Sequence, residues 1–163
     1  GAAILALAPA TIANRLLYAD GLDRAHRVLA RDLASVPPGR LAMSDAGVVP
    51  YRTDWPTLDL TGLNDRQTAV TRTHDPAAVL AFAPDVIVLA SQEADRVRPF
   101  AWNAYESSLA AAAGDAGFRL VRRYAFHDGY WLWLLARPGS PTGDALLSSR
   151  SRAPASGRAA PLH

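Results

Sequence analysis

The chain has no cysteine and no lysine, a single methionine, and only two glutamates among its 163 residues. Without cysteine there is no disulfide framework and no thiolate zinc site. Without lysine, all 17 basic side chains are arginines, and their high pKa contributes to the pI of about 9.4. The formal net charge is only +2. That falls short of the large clustered excess of a strong nucleic-acid binder, so no nucleic-acid partner is expected. No uncharged apolar run reaches 18 residues, so nothing spans a bilayer as it stands. The four histidines include no His-x-x-x-His pair, and no P-loop, Gly-x-Ser-x-Gly or Gly-x-Gly-x-x-Gly occurs. No metal and no cofactor are expected.

Half of the residues are apolar. That excludes a wholly disordered chain and is enough for the core of one domain. Much of this fraction is alanine, which buries little surface per residue. Three regions follow from composition. Residues 1–14 are uncharged: too short to cross a membrane, but of the kind expected either at the trailing end of a membrane helix or at the start of a buried one. Residues 15–137 hold the strong patterns. Residues 138–163 are rich in Ser, Pro, Gly and Arg and read as a flexible tail.

Within the middle region, apolar residues spaced from Ile12 to Leu33 predict a helix, with room for a break at Asp20-Gly21. Short strands are expected at 40–44 and 57–61. Asp75-Pro76 carries an N-cap and a first-turn proline, so a helix starts there and ends before Pro84. The run Asp85-Val86-Ile87-Val88-Leu89-Ala90 predicts a strand covered on both faces, as in a parallel sheet. An alanine-rich helix is expected from Trp102, ending at Gly114. Two strands, 118–124 and 130–136, flank a turn at His127-Asp128-Gly129. The expected fold is α/β: a small three-layer domain with a mostly parallel sheet and a C-terminal antiparallel hairpin.

Polar residues follow two of the short strands. Asp45 and Gly47 follow the first, where open α/β sheets bind ligands; equally, Asp45 is placed to cap a short helix from Ala46. Asp59 lies within the second, where an ionised carboxylate needs partners, and Asn64 and Asp65 follow it. The tryptophans offer stacking platforms for sugar rings, though Trp131 and Trp133, two apart on one strand, suit sheet packing.

Taken together, Ser44-Asp45-Ala46-Gly47-Val48-Val49-Pro50-Tyr51 and Asp59-Leu60-Thr61-Gly62-Leu63-Asn64-Asp65 resemble a known signature. It is found in the C-terminal extracytoplasmic domain of bacterial C-type membrane glycosyltransferases, the enzymes that use polyprenyl-phosphate sugars, arabinofuranosyltransferases among them. Pro84-Asp85-Val86-Ile87-Val88 fits the same pattern, so the resemblance covers residues 40–90. It implies a soluble domain on the extracytoplasmic face of the cell membrane, accessory to the active site or binding the acceptor in cell-envelope glycan synthesis. The implied partners are a glycan acceptor or lipid-linked sugar and the membrane portion of the same polypeptide, where the catalytic carboxylate would lie. No catalytic residue is therefore expected in this chain. The implied contacts to sugar are Asp45, Tyr51, Asp59, Asn64 and Asp65. Two other readings stand beside it: a free-standing carbohydrate-binding module, and a small α/β hydrolase or transferase pairing Asp45 with His74.

Overall fold

Ala25, Leu29 and Leu33 recur every fourth residue, and all three are fully buried, while Arg27 and Arg31 between them are exposed. This stripe is what drives the first helical segment onto the sheet. The computed structural model describes residues 17–61 and 75–150. The apolar stub 1–14, Asn64, Asp65, His74 and residues 151–163 lie outside them. The helical path begins with residues 17–21, passes through a π-helical turn at Leu22–His26 and continues as α1, Arg27–Ala34. Asp20-Gly21 does not break it. Gly21 keeps helical angles, and a Cβ there would come within 2.6 Å of the Phe126 ring. The glycine serves close packing rather than chain reversal.

The remaining elements are β1 (Leu41–Met43), α2 (Val48–Thr53), β2 (Thr57–Asp59), α3 (Pro76–Ala81), β3 (Val86–Ser91), α4 (Glu106–Asp115), β4 (Arg119–His127), β5 (Tyr130–Ala136) and α5 (Pro141–Arg150). Asp75 caps α3 as its sequence suggests, its Oδ1 accepting the Ala77 N–H at 2.9 Å. Gly129, at φ 76°, closes the β4–β5 hairpin.

The five strands lie in the order β2-β1-β3-β5-β4. β2, β1 and β3 are parallel, each pair over three residues. β5 is antiparallel to β3 over six residues and to β4 along most of its length. The sheet is therefore mixed and mostly antiparallel by length, which corrects the expectation of a mostly parallel one. The reason is that the uniformly apolar β3 reports cover on both faces, and cover does not depend on the direction of the neighbouring strand.

Alternation along β3 shows the layers. Val86, Val88 and Ala90 join Leu29 and Leu33 of α1, Val49 of α2 and Leu146 of α5 in one core. Ile87 and Leu89 join Val79 of α3 and Leu109 and Ala113 of α4 in the other, with Trp133. Helices thus cover both faces, giving three layers. α2, following β1, and α3, preceding β3, lie on opposite faces, so the chain switches sides around β1. The carboxyl ends of the three parallel strands share one edge of the sheet, and the start of antiparallel β5 lies there too. That edge, at the switch between β1 and β3, is where doubly wound sheets open a crevice.

A second correction concerns the C-terminal region. Where the composition suggested a tail from 138, residues 141–150 form α5. Leu146 is 2% exposed, and Thr142 Oγ1 donates to the carbonyls of Pro37 and Pro38 at 3.0 and 3.1 Å. One well-placed leucine and one threonine dock a helix whose composition is otherwise that of a linker. Leu146→Ala should lower stability by about 2–5 kcal/mol, the usual effect of emptying a leucine site, read as a lower urea midpoint. An unchanged midpoint would mean that α5 is not part of the folded unit.

Candidate functional site

β1 leaves the sheet after Met43, two residues before β3 reaches the same level. Ala90 of β3 is thereby left without a β1 partner on that side. A buried backbone amide and carbonyl cannot stay unsatisfied. Glu106 and Asn103 take the place of the missing strand: the Ala90 N–H donates to Glu106 Oε2 at 2.7 Å, and Asn103 Nδ2 donates to the Ala90 carbonyl at 3.2 Å. Asn103 is itself fixed by the Phe100 N–H, which donates to its Oδ1 at 2.6 Å. The other oxygen of Glu106 accepts the hydroxyl of Ser44, the first residue beyond β1. Ser44 Oγ lies 2.9 Å from the hydroxyl of Tyr105, which also donates to the Leu60 carbonyl beyond β2 at 3.3 Å. Side chains from the start of α4 thus tie together the ends of all three parallel strands.

Glu106 is fully buried. Burial pushes its carboxyl up to about 7, against the hydrogen bonds from Ser44, Ala90 and Asn103; the nearby charge of Asp45 adds to the rise. Burial likewise raises the Tyr105 hydroxyl above its ordinary value, so it stays protonated.

Asp45 comes next along the chain, and its carboxylate is a third exposed. Its Oδ2 accepts the Tyr130 hydroxyl at 2.7 Å, and His26 Nε2 lies 2.9 Å from the same oxygen. Burial works to raise Asp45, but His26 and Tyr130 outweigh it and hold the carboxyl below the usual range. It is an anion at neutral pH, partly open to water. His26 closes the π-helical turn, a feature that often marks functional positions. Its ring is buried edge-on against Phe126; the Nε2 contact is close but poorly aligned for a hydrogen bond, and Nδ1 has no hydrogen-bond partner among the described residues.

An aromatic series leads outward from this anion. Tyr130 packs on Phe100 with centroids 5.1 Å apart, and Phe100 stacks on Trp102 at 5.6 Å with the rings 14° from parallel. Trp102 is 53% exposed. A half-open indole and a partly open carboxylate are therefore joined by two rings along the same edge.

Of the residues singled out in the sequence, Asp45 is at the centre of this cluster, and it does not cap α2, whose N-cap is Gly47 with no side-chain cap bond. Asp59 is buried at the end of β2, where its Oδ1 accepts the Thr61 N–H at 2.9 Å and the Thr61 hydroxyl at 2.7 Å, closing its own turn. Tyr51 stands on α2, 90% exposed, and no described contact links it to Asp45. Trp133 is largely buried and donates to the Glu93 carbonyl at 3.1 Å, in keeping with sheet packing. Sequence reasoning missed His26, Tyr130, Glu106 and the particular role of Trp102. The available signal for Glu106 was its rarity, one of two glutamates and placed in an alanine-rich helix.

The edge presents an ionised carboxylate and an exposed indole, groups that can contact a polar ligand. The Ser44 hydroxyl is buried and committed to a carboxylate rather than to an imidazole, which is not how a serine nucleophile is activated. Among the described residues no group of three or more His, Asp or Glu is arranged to hold a metal ion.

The family described as "Domain of unknown function (DUF8728)" matches residues 11–139. The chain belongs to this family. No curated protein and no solved structure matches it. The match takes in the whole polar edge and ends just before α5.

Glu106 makes the fold sensitive to pH. Folded, it titrates near 7, against 4.5 for an ordinary glutamate. Between those values the native state holds more protons than the unfolded chain, so stability falls as pH rises through this window and levels off above it. Asp45 acts in the opposite sense, adding stability above the ordinary aspartate range and losing it below, outside this window. Thermal melting between pH 5 and 8 should show the decline, and Glu106→Gln, which keeps a carbonyl for the Ala90 N–H, should flatten it. A wild-type midpoint that does not fall across the window would contradict this.

Proposed function

We propose that this domain is the extracytoplasmic part of a membrane glycosyltransferase of cell-envelope glycan synthesis, and that the carboxyl edge of β1 and β3 holds the glycan acceptor. The observation that carries the reading is the chain of contacts from Asp45 through Tyr130 and Phe100 to the exposed Trp102. An ionised, partly exposed carboxylate accepts hydrogen bonds from sugar hydroxyls, and an open indole face packs against the C–H face of a sugar ring. Such a mixture of an apolar platform and a few fixed polar groups is what small-ligand sites use. Tyr130 anchors Asp45 and, through Phe100, the platform, so both contacts are set before ligand arrives. The resemblance of residues 40–90 to C-type glycosyltransferases supplies the sugar class, and Asp45 is part of that signature. In this reading Asp59 shapes the turn rather than touching sugar, and Asn64 and Asp65 are sugar contacts by the resemblance alone. Tyr51, exposed on α2, is available to a longer glycan or to the membrane portion of the polypeptide. The domain contributes no catalytic group, and transfer depends on the membrane portion.

The test is titration of the chain with an arabinofuranosyl oligosaccharide, followed by calorimetry. Asp45→Asn and Trp102→Ala should each weaken binding about tenfold or more, since a hydrogen bond to a charged group is worth about 1.5–3 kcal/mol. Asp95→Asn, an exposed control, should not. Absence of binding, or equal binding by the variants, would defeat the reading. The isolated chain should transfer no sugar from a polyprenyl-phosphate donor, and turnover by it would place the chemistry here instead.

A further inference from the structure

α1 and α2 pack against each other through Leu29, Leu33 and Val49. Beside this contact lies a cleft of about 390 Å³ with Ala30 and Ala34 in its lining, together with three arginines: Arg27, Arg31 and Arg52. Arg27 is matched by Asp23 one turn earlier. Arg31 and Arg52 have no carboxylate within ion-pair distance among the described residues. Arg27 and Arg31 are also one turn apart on the same helix, a like-charge spacing that works against helix stability. Arg31 and Arg52 each lie in the last turn of a helix, where a cation is favoured by itself. That preference accounts for each of the two singly; it does not account for their lining one concavity together with Arg27 and two alanines. The small side chains leave room above them, and the positive charge exceeds the negative by two at this spot.

We propose that this cleft binds a phosphate group. Guanidinium is a planar fork of N–H donors that matches phosphate oxygens two at a time, and the forks of Arg31 and Arg52, with no carboxylate partner among the described residues, suit a group carrying one or two negative charges. The phosphate belongs either to a soluble ester or to the headgroup of an anionic lipid; the recognising chemistry is the same. The site shares no residue with the sugar contacts, so either assignment stands if the other fails.

Two probes decide it, and neither contains sugar. The full chain is titrated with inorganic pyrophosphate by calorimetry, and in parallel sedimented with vesicles of phosphatidylglycerol in phosphatidylcholine, against vesicles of phosphatidylcholine alone. Binding to pyrophosphate assigns a soluble phosphate; binding to the anionic vesicles alone assigns a lipid headgroup. In either case Arg31→Ala with Arg52→Ala should weaken binding at least tenfold. Arg119→Ala, an exposed arginine at the start of β4, should leave it unchanged. Both arginines of the pair are exposed, so the melting temperature should stay close to wild type. If the pair does not fold, Arg52→Ala alone decides the matter by a several-fold weakening or none. Binding of neither probe, or an equal loss with Arg119→Ala, would overturn the proposal.

Discussion

Glu106 stands where a strand would otherwise be. Because β1 stops at Met43, the amide and carbonyl of Ala90 face a gap in the sheet, and the carboxylate of Glu106 and the amide of Asn103 fill it. The same carboxylate takes the Ser44 hydroxyl, so one buried group fixes how far β1 and β3 can part at their ends. A polar group in this position is costly to bury and costly to remove, since its loss would strand a backbone donor and a hydroxyl together. The geometry of Asp45, one residue beyond Ser44, depends on it directly.

The opposite edge of the sheet is held in a similar way by Asp85. Its carboxylate accepts the Arg40 N–H at 2.9 Å and the Arg137 guanidinium at 2.8 Å, joining the residues that enter β1 and leave β5. Burial would raise this carboxyl, but the hydrogen bonds and the arginine charge keep it below its ordinary range. The two edges differ in a way that matters. At the Asp85 edge the acid is paired with a cation and the arrangement is closed. At the Glu106 edge the acid has no cation beside it and is held by the Ser44 hydroxyl and the Ala90 N–H, and the nearby charge on Asp45 looks partly toward solvent. Only the second edge leaves a partly exposed carboxylate linked through two rings to an exposed indole.

Much of the secondary structure was legible because its signals are local. The Asp75-Pro76 start of α3, the apolar run of β3 and the Asp128-Gly129 turn each rest on residues within a few positions of one another. Asp45 was legible as a site candidate through the resemblance of its motif, since its position after a strand served a helix cap as well. Gly21 and α5 were misread for the same underlying reason. A glycine that admits the Phe126 ring, and a leucine that docks a polar helix, are explained by partners about a hundred residues away in sequence for Gly21 and by the sheet for Leu146.

The amino-acid sequence by itself determined that this chain forms an α/β domain free of disulfides, with polar residues at the ends of two short strands, because composition, periodicity and turn chemistry act over short distances. Tertiary structure alone decided which strand lies beside which, that most of the sheet is antiparallel, that His26 and Tyr130 meet at Asp45, and that Glu106 and Trp102 lie on the same edge. Those residues come from four separate elements, and what brings them together is the burial of side chains on the two faces of one sheet, an interaction that carries no preference for strand direction and leaves no mark in local sequence.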